Sequence, residues 1–330
     1  MEAIAVEIRK HATQWQSWWG SLTLKQRVLP VALMFFYLLV LGALGGLKSD
    51  HWMITGVVLV GSYGGPVPRR ILGFILPLLL TAMTYDGMRF YGRFASSTIH
   101  VQEPYDFDLR FFGIPTESGV LTPNQWFELH THPALDLLTG FFYLAFIPIF
   151  VSIAAYLFFW VSRTGTAKLP AERFKILVPQ VMWAFYFVNV LGYLTYLIYP
   201  AAPPWYVALH GLGPAILNTP ANAAGCLRFD ALLGADLFAN FYGRSANVFG
   251  AIPSLHVAYP FQAAYFAFRM GATRKFSLFF YLIMSFSAVY LNHHYVLDVL
   301  IGSLYALVVS RVVEMVFARK ASNTPKPVSS

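Results

Sequence analysis

Charge is scarce in this sequence: Asp, Glu, Lys and Arg together make up 12% of its 330 residues, against about a quarter in an ordinary soluble domain. Hydrophobic residues fill 57% of the positions. That balance excludes a free-standing soluble domain and puts most of the chain in lipid. Cysteine occurs once, as Cys226, which excludes an internal disulfide and any cysteine-based metal cluster. Acidic side chains number 15 against 23 basic ones, a formal charge of +8. The excess does not point to nucleic acid, because the basic residues form no single patch. They recur in short runs between apolar segments, which is a topology signal. No sequence repeat of the inverted-repeat transporter kind is visible, and nothing at the start has the form of a cleaved signal.

What is there in abundance is apolar sequence. Eight stretches stand out, near Leu29–Leu47, Trp52–Val67, Ile71–Met88, Leu138–Val161, Ile176–Tyr199, Pro253–Phe268, Phe276–Tyr290 and Asp298–Phe317. Several are shorter than the roughly 20 residues that cross a hydrocarbon core, so their ends must extend into polar flanks. The second could equally close a re-entrant hairpin at Gly64-Gly65-Pro66. The fold expected is an all-α polytopic transmembrane bundle. Its divisions are an amphipathic segment over 1–28 carrying Trp15, Trp18 and Trp19, two peripheral spans over 29–70, a six-span catalytic domain over 71–320, and a disordered tail over 321–330.

The loop charges orient the bundle. Arg9, Lys10, Lys25 and Arg27 precede the first span, Arg69 and Arg70 follow the second, Arg163, Lys168, Arg173 and Lys175 the fourth, Arg269, Arg274 and Lys275 the sixth, and Arg319 and Lys320 the eighth. With eight spans and both termini cytoplasmic, all of these groups fall on the cytoplasmic side. The other side then holds two long segments, about Arg89–Asp136 and Pro200–Ile252.

Two motifs open helices at that far side. In Phe249-Gly250-Ala251-Ile252-Pro253-Ser254-Leu255-His256, Pro253 suits a first helical turn, whose free N–H groups favour an anion. Ser254 and His256 add a hydroxyl and a titratable imidazole. In Asn292-His293-His294-Tyr295-Val296-Leu297-Asp298, His294 and Asp298 are four apart, so a helix stacks them one turn apart. The carboxylate then fixes the imidazole's tautomer and frees its other nitrogen as nucleophile or base. Each feature has a plainer reading alone: an interfacial histidine, a helix-start hydrogen bond, a common Pro-Ser opening. Both motifs at one membrane face, one out-and-back hairpin apart, weigh against coincidence.

Pro253-Ser254-Leu255-His256 and His294-x3-Asp298 resemble the second and third signatures of the type 2 phosphatidic acid phosphatase superfamily. Tyr199-Pro200-Ala201-Ala202-Pro203-Pro204-Trp205-Tyr206, Arg228 with Asp230, Leu232-Leu233-Gly234 and His293-His294-Tyr295 are similar to blocks of the inositol phosphorylceramide synthases, the aureobasidin targets. The resemblance implies a lipid-phosphatase-like six-helix core with two extra N-terminal spans. It implies a nucleophilic His294 that passes through a phosphohistidine, an orienting Asp298 and an acid–base His256, with no metal or other cofactor. Ser254, Arg228, Arg244, Tyr206 and His293 are the candidate phosphate or substrate contacts. Two departures stand out: Tyr199 to Tyr206 lacks the lysine and arginine of the superfamily's first signature, and Ser287 is followed by Ala288 rather than arginine. The phosphate clamp is therefore sought in Arg228 and Arg244.

The implied partners are a phospholipid donor, a lipid alcohol acceptor and the membrane; the residues do not speak to a regulatory subunit. The implied activity moves phosphoinositol from phosphatidylinositol to a ceramide-like alcohol at a periplasmic or Golgi-luminal face. The rival is a phosphatase of a lipid phosphate or polyprenyl diphosphate using the same residues.

Overall fold

The computed structural model describes residues 13–91, 98–242 and 248–322. They divide into two compact units, with the boundary at Leu80 and Thr81. In the first unit a short helix over 13–21 precedes α1 (Leu24–Ala43) and α2 (Ser49–Tyr63). Thr23 starts α1 with a capping box: its Oγ1 accepts from Gln26 N, and Gln26 Oε1 accepts from Thr23 N. Gly65, at φ +120°, turns the chain into Pro66, which opens α3 (Pro66–Tyr91) across the unit boundary.

The second unit is a bundle with an extramembrane cap. Between α3 and the next long helix lie α4 (Gln102–Phe112), a two-stranded antiparallel hairpin of β1 (Ile114–Thr116) and β2 (Gly119–Leu121), and α5 (Pro123–Leu129). The hairpin is a small departure from the all-helical expectation; Gly119 at φ +126° makes its turn possible. Next come α6 (Pro133–Tyr156), extended by a π-helical turn to Val161, and α7 (Ala171–Ile198). A second cap segment carries α8 (Pro204–His210), α9 (Cys226–Leu233) and α10 (Leu237–Tyr242). The chain closes with α11 (Leu255–Met270), α12 (Arg274–Tyr290) and α13 (Val296–Ser322).

Each of the eight apolar stretches lies mostly in a helix. Among the described residues, five helices are long and apolar enough to cross a membrane, at Leu24–Ala43, Pro66–Phe90, Pro133–Thr164, Ile176–Ile198 and Val296–Arg319. The other three, α2, α11 and α12, run only 15, 16 and 17 residues. Prolines lie inside α1, α3, α6, α7 and α11. Membrane helices tolerate these because neighbouring groups re-satisfy the freed carbonyls.

Helix α11 is the centre of the unit, buried along most of its length against α6, α7, α12 and α13. Gly302 lets α13 come against it: a Cβ there would lie 2.3 Å from the Ser254 carbonyl oxygen. At the far end of α11, Lys168 Nζ donates to Phe268 O at 2.7 Å and Thr166 Oγ1 to Met270 O at 2.8 Å. The basic loops after α6 and α11 therefore meet at one end of the bundle. The histidine motifs lie at the other. The expected disordered tail over 321–330 falls, from residue 323 on, outside the described residues, as do residues 1–12 of the expected amphipathic segment.

Candidate active site

Three backbone segments frame the site. His100 N donates to Pro200 O, Ala202 N to His100 O, and Ala201 N to Phe249 O, each at 2.9 Å. Ala251 N returns a bond to Ala201 O at 3.2 Å. These tie the proline block to the strand-like entry into α11 and fix the Ala251 carbonyl.

That carbonyl decides a tautomer. His294 Nδ1 lies 3.0 Å from Ala251 O and 3.3 Å from Asp298 Oδ2. Both neighbours only accept, so the proton sits on Nδ1 and Nε2 keeps its lone pair. His256 Nδ1 faces that lone pair at 3.2 Å, so it carries a proton and donates it. The arrangement is a line: carboxylate and carbonyl, His294, His256. Asp298 is fully buried, and its Oδ2 also accepts from Tyr295 N at 2.9 Å.

Two local expectations need correction. Pro253 is not in the first helical turn: α11 begins at Leu255, with Ser254 extended at the N-cap. The Pro253 carbonyl is held instead by the Tyr196 hydroxyl at 2.9 Å, and Ser254 N donates to Asp298 O at 3.0 Å. These bonds keep the segment outside the helix. Likewise His294 precedes α13 rather than standing on it; it reaches Asp298 because the turn folds back onto the first helical residues. Nor is His294 at an open aqueous face, since it is only 5% exposed.

The remaining candidates sit as follows. Ser254 is fully buried, makes no side-chain cap bond, and its Oγ has no protein partner. It lies beside the first-turn N–H groups of α11, which a helix cannot satisfy internally. Arg228 pairs with neither Asp230 nor Asp236. Its Nε donates to Asp136 Oδ1 at 2.7 Å, and the guanidinium lies over the Tyr290 ring. Tyr290 Oη donates to the same Asp136 oxygen at 3.0 Å. Asp230 instead caps α10 through Phe238 N and Ala239 N. The Tyr206 hydroxyl accepts from Ile216 N at 2.7 Å, and its ring packs on Phe249. His293 is clamped between Tyr143 and Tyr242 and directs Nε2 to Ala223 O at 3.0 Å. Burial and the neighbouring His294 lower its pKa to about 3, so it stays neutral. Arg244 lies outside the described residues. Thus His256, His294, Asp298 and Ser254 come together, whereas Arg228, Tyr206 and His293 are each engaged by neighbours around them.

Sequence reading missed several residues. Tyr143, inside α6, stacks on both His256 and His293, with ring centroids at 4.5 and 5.1 Å. Asn124 Nδ2 donates to the His294 and Val289 carbonyls at 3.0 Å each. Asp108 accepts from two N–H groups of α13. None belongs to a motif. The one signal for Asp108 and Asn124 was their polarity.

Comparison with known proteins identifies the family. The profile of the PAP2 superfamily matches residues 117–312, which contain every residue of the histidine line. The phosphoinositol dihydroceramide synthase of Bacteroides thetaiotaomicron is 35% identical over 86% of this chain and 90% of its own length. The chain belongs to the inositol phosphorylceramide synthase family within the PAP2 superfamily. Fungal members of the synthase family match shorter regions. The Schizosaccharomyces pombe catalytic subunit is 30% identical over 63% of this chain, and the Candida albicans synthase 38% identical over 38%. The chain spans 46% and 27% of those two proteins' lengths. No solved structure matches. As a synthase-family member the chain is an enzyme of the phosphotransferase type.

Proposed function

We propose that this enzyme transfers phosphoinositol from phosphatidylinositol to the hydroxyl of a ceramide-like lipid through a phosphohistidine on His294. The observation that carries the reading is the proton order along the line: Nδ1 of His294 is tied to Asp298 and Ala251, and its Nε2 lone pair is capped by a donor on His256. A phosphodiester entering at that point displaces the His256 contact. Nε2 attacks phosphorus, the bond to the glycerol oxygen breaks, and that oxygen takes a proton from His256, which enters the step as an imidazolium and becomes neutral, and leaves as diacylglycerol. His256 then accepts the proton of the ceramide hydroxyl, whose oxygen attacks phosphorus, and the N–P bond breaks to restore His294.

Asp298 stabilises the imidazolium that carries the phosphoryl group. The Ser254 hydroxyl and the first-turn N–H groups of α11 would hold the phosphoryl oxygens. Arg228, braced by Asp136, and Arg244 are the cationic candidates. Tyr206 and His293 would shape the surrounding wall. The site would face the non-cytoplasmic side, with the basic loops opposite.

The test is product identity. Purified enzyme given phosphatidylinositol labelled in the inositol should form labelled inositol phosphoceramide and diacylglycerol only when dihydroceramide is present. Release of labelled inositol phosphate at the same rate without an acceptor would make water the acceptor, and phosphate release from a lipid phosphate or polyprenyl diphosphate with no reaction of phosphatidylinositol would instead favour the phosphatase.

A further inference from the structure

His294 stands on no helix, so its position depends on what holds the segment around it. Part of the grip comes from residues far away in sequence. Asp108, on the extramembrane helix α4, is fully buried. Its Oδ2 accepts from Val296 N at 2.8 Å and its Oδ1 from Leu297 N at 3.0 Å, across 188 and 189 residues of chain. Asp108 thereby caps α13 from another element. Asn124, on α5, holds the carbonyl of His294 itself. Asp298 takes the Tyr295 N–H. The donors that a helix N-terminus would offer an anion are thus already claimed at α13 by two carboxylates, whereas Ser254 at α11 makes no cap bond.

We propose that Asp108 is a positioning residue of the phosphoryl-transfer site. It locks the first turn of α13 so that Asp298 meets His294, and it closes that helix end to phosphate, leaving the α11 end to receive it. The contact Asp108 would protect is a sensitive one. His294 Nδ1 to Asp298 Oδ2 is already 3.3 Å, so a modest shift of α13 forfeits it. The titratable groups that act on Asp108 are Asp298 and Tyr295, both from the α13 side. Neither is a cation, so what holds the carboxylate is the pair of N–H bonds.

The inference rests on His294 and Asp298 as the working pair, and its test is a double-mutant cycle between Asp108→Asn and Asp298→Asn in the full chain. Asn keeps the size of Asp108 but puts an NH2 group against one of the two N–H donors. Turnover is measured on phosphatidylinositol with dihydroceramide and, in parallel, on a lipid phosphate. If only the lipid phosphate reacts, the donor reading fails and the cycle is read on that substrate. Asp108→Asn should lower kcat about 10- to 100-fold, as expected for a small misplacement of reacting groups, with KM within about twofold. In the Asp298→Asn background the same change should cost less than about twofold, because the contact it supports is already lost.

Val296→Pro is the second variant. It deletes one donor to Asp108 at a helix position that accepts proline, and it should give the same kcat-only pattern at smaller size. A folded Asp108→Asn with unchanged kcat, a KM rising in step with the lost rate, or losses that simply multiply in the cycle would overturn the proposal. If Asp108→Asn does not fold, an unchanged kcat in Val296→Pro would do so.

Discussion

Asp298 and Asn differ at this position by one charge and little else, which separates catalysis from capping. As a cap, Asn serves nearly as well as Asp, so a merely structural Asp298 predicts activity within about threefold of wild type, roughly 0.65 kcal/mol of barrier. As the partner of His294, loss of the charge frees the wrong tautomer, a change that costs about 10⁴ in rate in a hydrolytic triad. We expect a loss of several orders of magnitude in kcat, with donor affinity changed much less. His294→Ala should leave no acid-labile phosphoryl adduct when the enzyme is trapped on radiolabelled donor; an adduct in that variant rejects His294 as nucleophile.

Asp108 gives a pH expectation. Burial pushes its carboxyl up to about 6 from 3.8. Because the folded state holds that proton more tightly than the unfolded chain, this group alone makes the fold less stable as pH rises from about 4 to 6. Activity should run the other way: below about 6 the carboxyl gains a proton and loses one of its two acceptor bonds. The kcat of wild type should therefore fall more steeply between pH 7 and 5 than that of Asp108→Asn, and parallel profiles would reject the titration. His294 and Asp298 were legible in the sequence because four-residue spacing is a local pattern. Asp108 and Asn124 were not, because no local pattern marks a bond that spans well over a hundred residues.

At the scale of helices, hydropathy located all eight apolar elements but misplaced their ends. The true starts are set by polar residues that hydropathy ignores: Thr23 before α1, and His132, whose Nδ1 accepts from Ala134 N, before α6. The same cause hid the entry to α11, where tertiary bonds to Tyr196 and Asp298 hold Pro253 and Ser254 outside the helix. Gly302 is the element-level test. An added Cβ would meet backbone at Ser254, which cannot rotate away as a side chain can. In Gly302→Ala, α11 and α13 must separate, opening the 3.2 Å contact between His256 and His294. We expect about 1–3 kcal/mol of lost stability and at least tenfold slower turnover, read by thermal unfolding in detergent and by initial rate. Wild-type values in both would contradict the close packing.

Within the second unit, the basic loops and the histidine line lie at two opposite ends. Lys168 and Arg269 belong to one, and the histidine line to the other. If the basic end is cytoplasmic, a cysteine introduced at Ala167 should resist membrane-impermeant maleimide in intact cells, and one at Leu217 should react. The reverse pattern would invert the topology. The extramembrane cap was the least legible part of the molecule. Its short helices and hairpin carry no hydropathy signal, and their positions follow from hydrogen bonds to the α12–α13 connection, such as Asn292 Nδ2 to Glu128 Oε1 at 2.6 Å.

Cys226, the sole thiol, has a use of its own. It is fully buried 3.4 Å from His293 Nε2, and burial pushes its pKa up, so in the closed protein it is both hidden and protonated. A permeant maleimide can reach it only when α9 lifts away from the residue next to the nucleophile. Its labelling rate is therefore a clock for the opening of that wall, readable in the unaltered enzyme. The clock should run slowly at rest and faster in His293→Ala, and it should stall when a phospholipid donor fills the site.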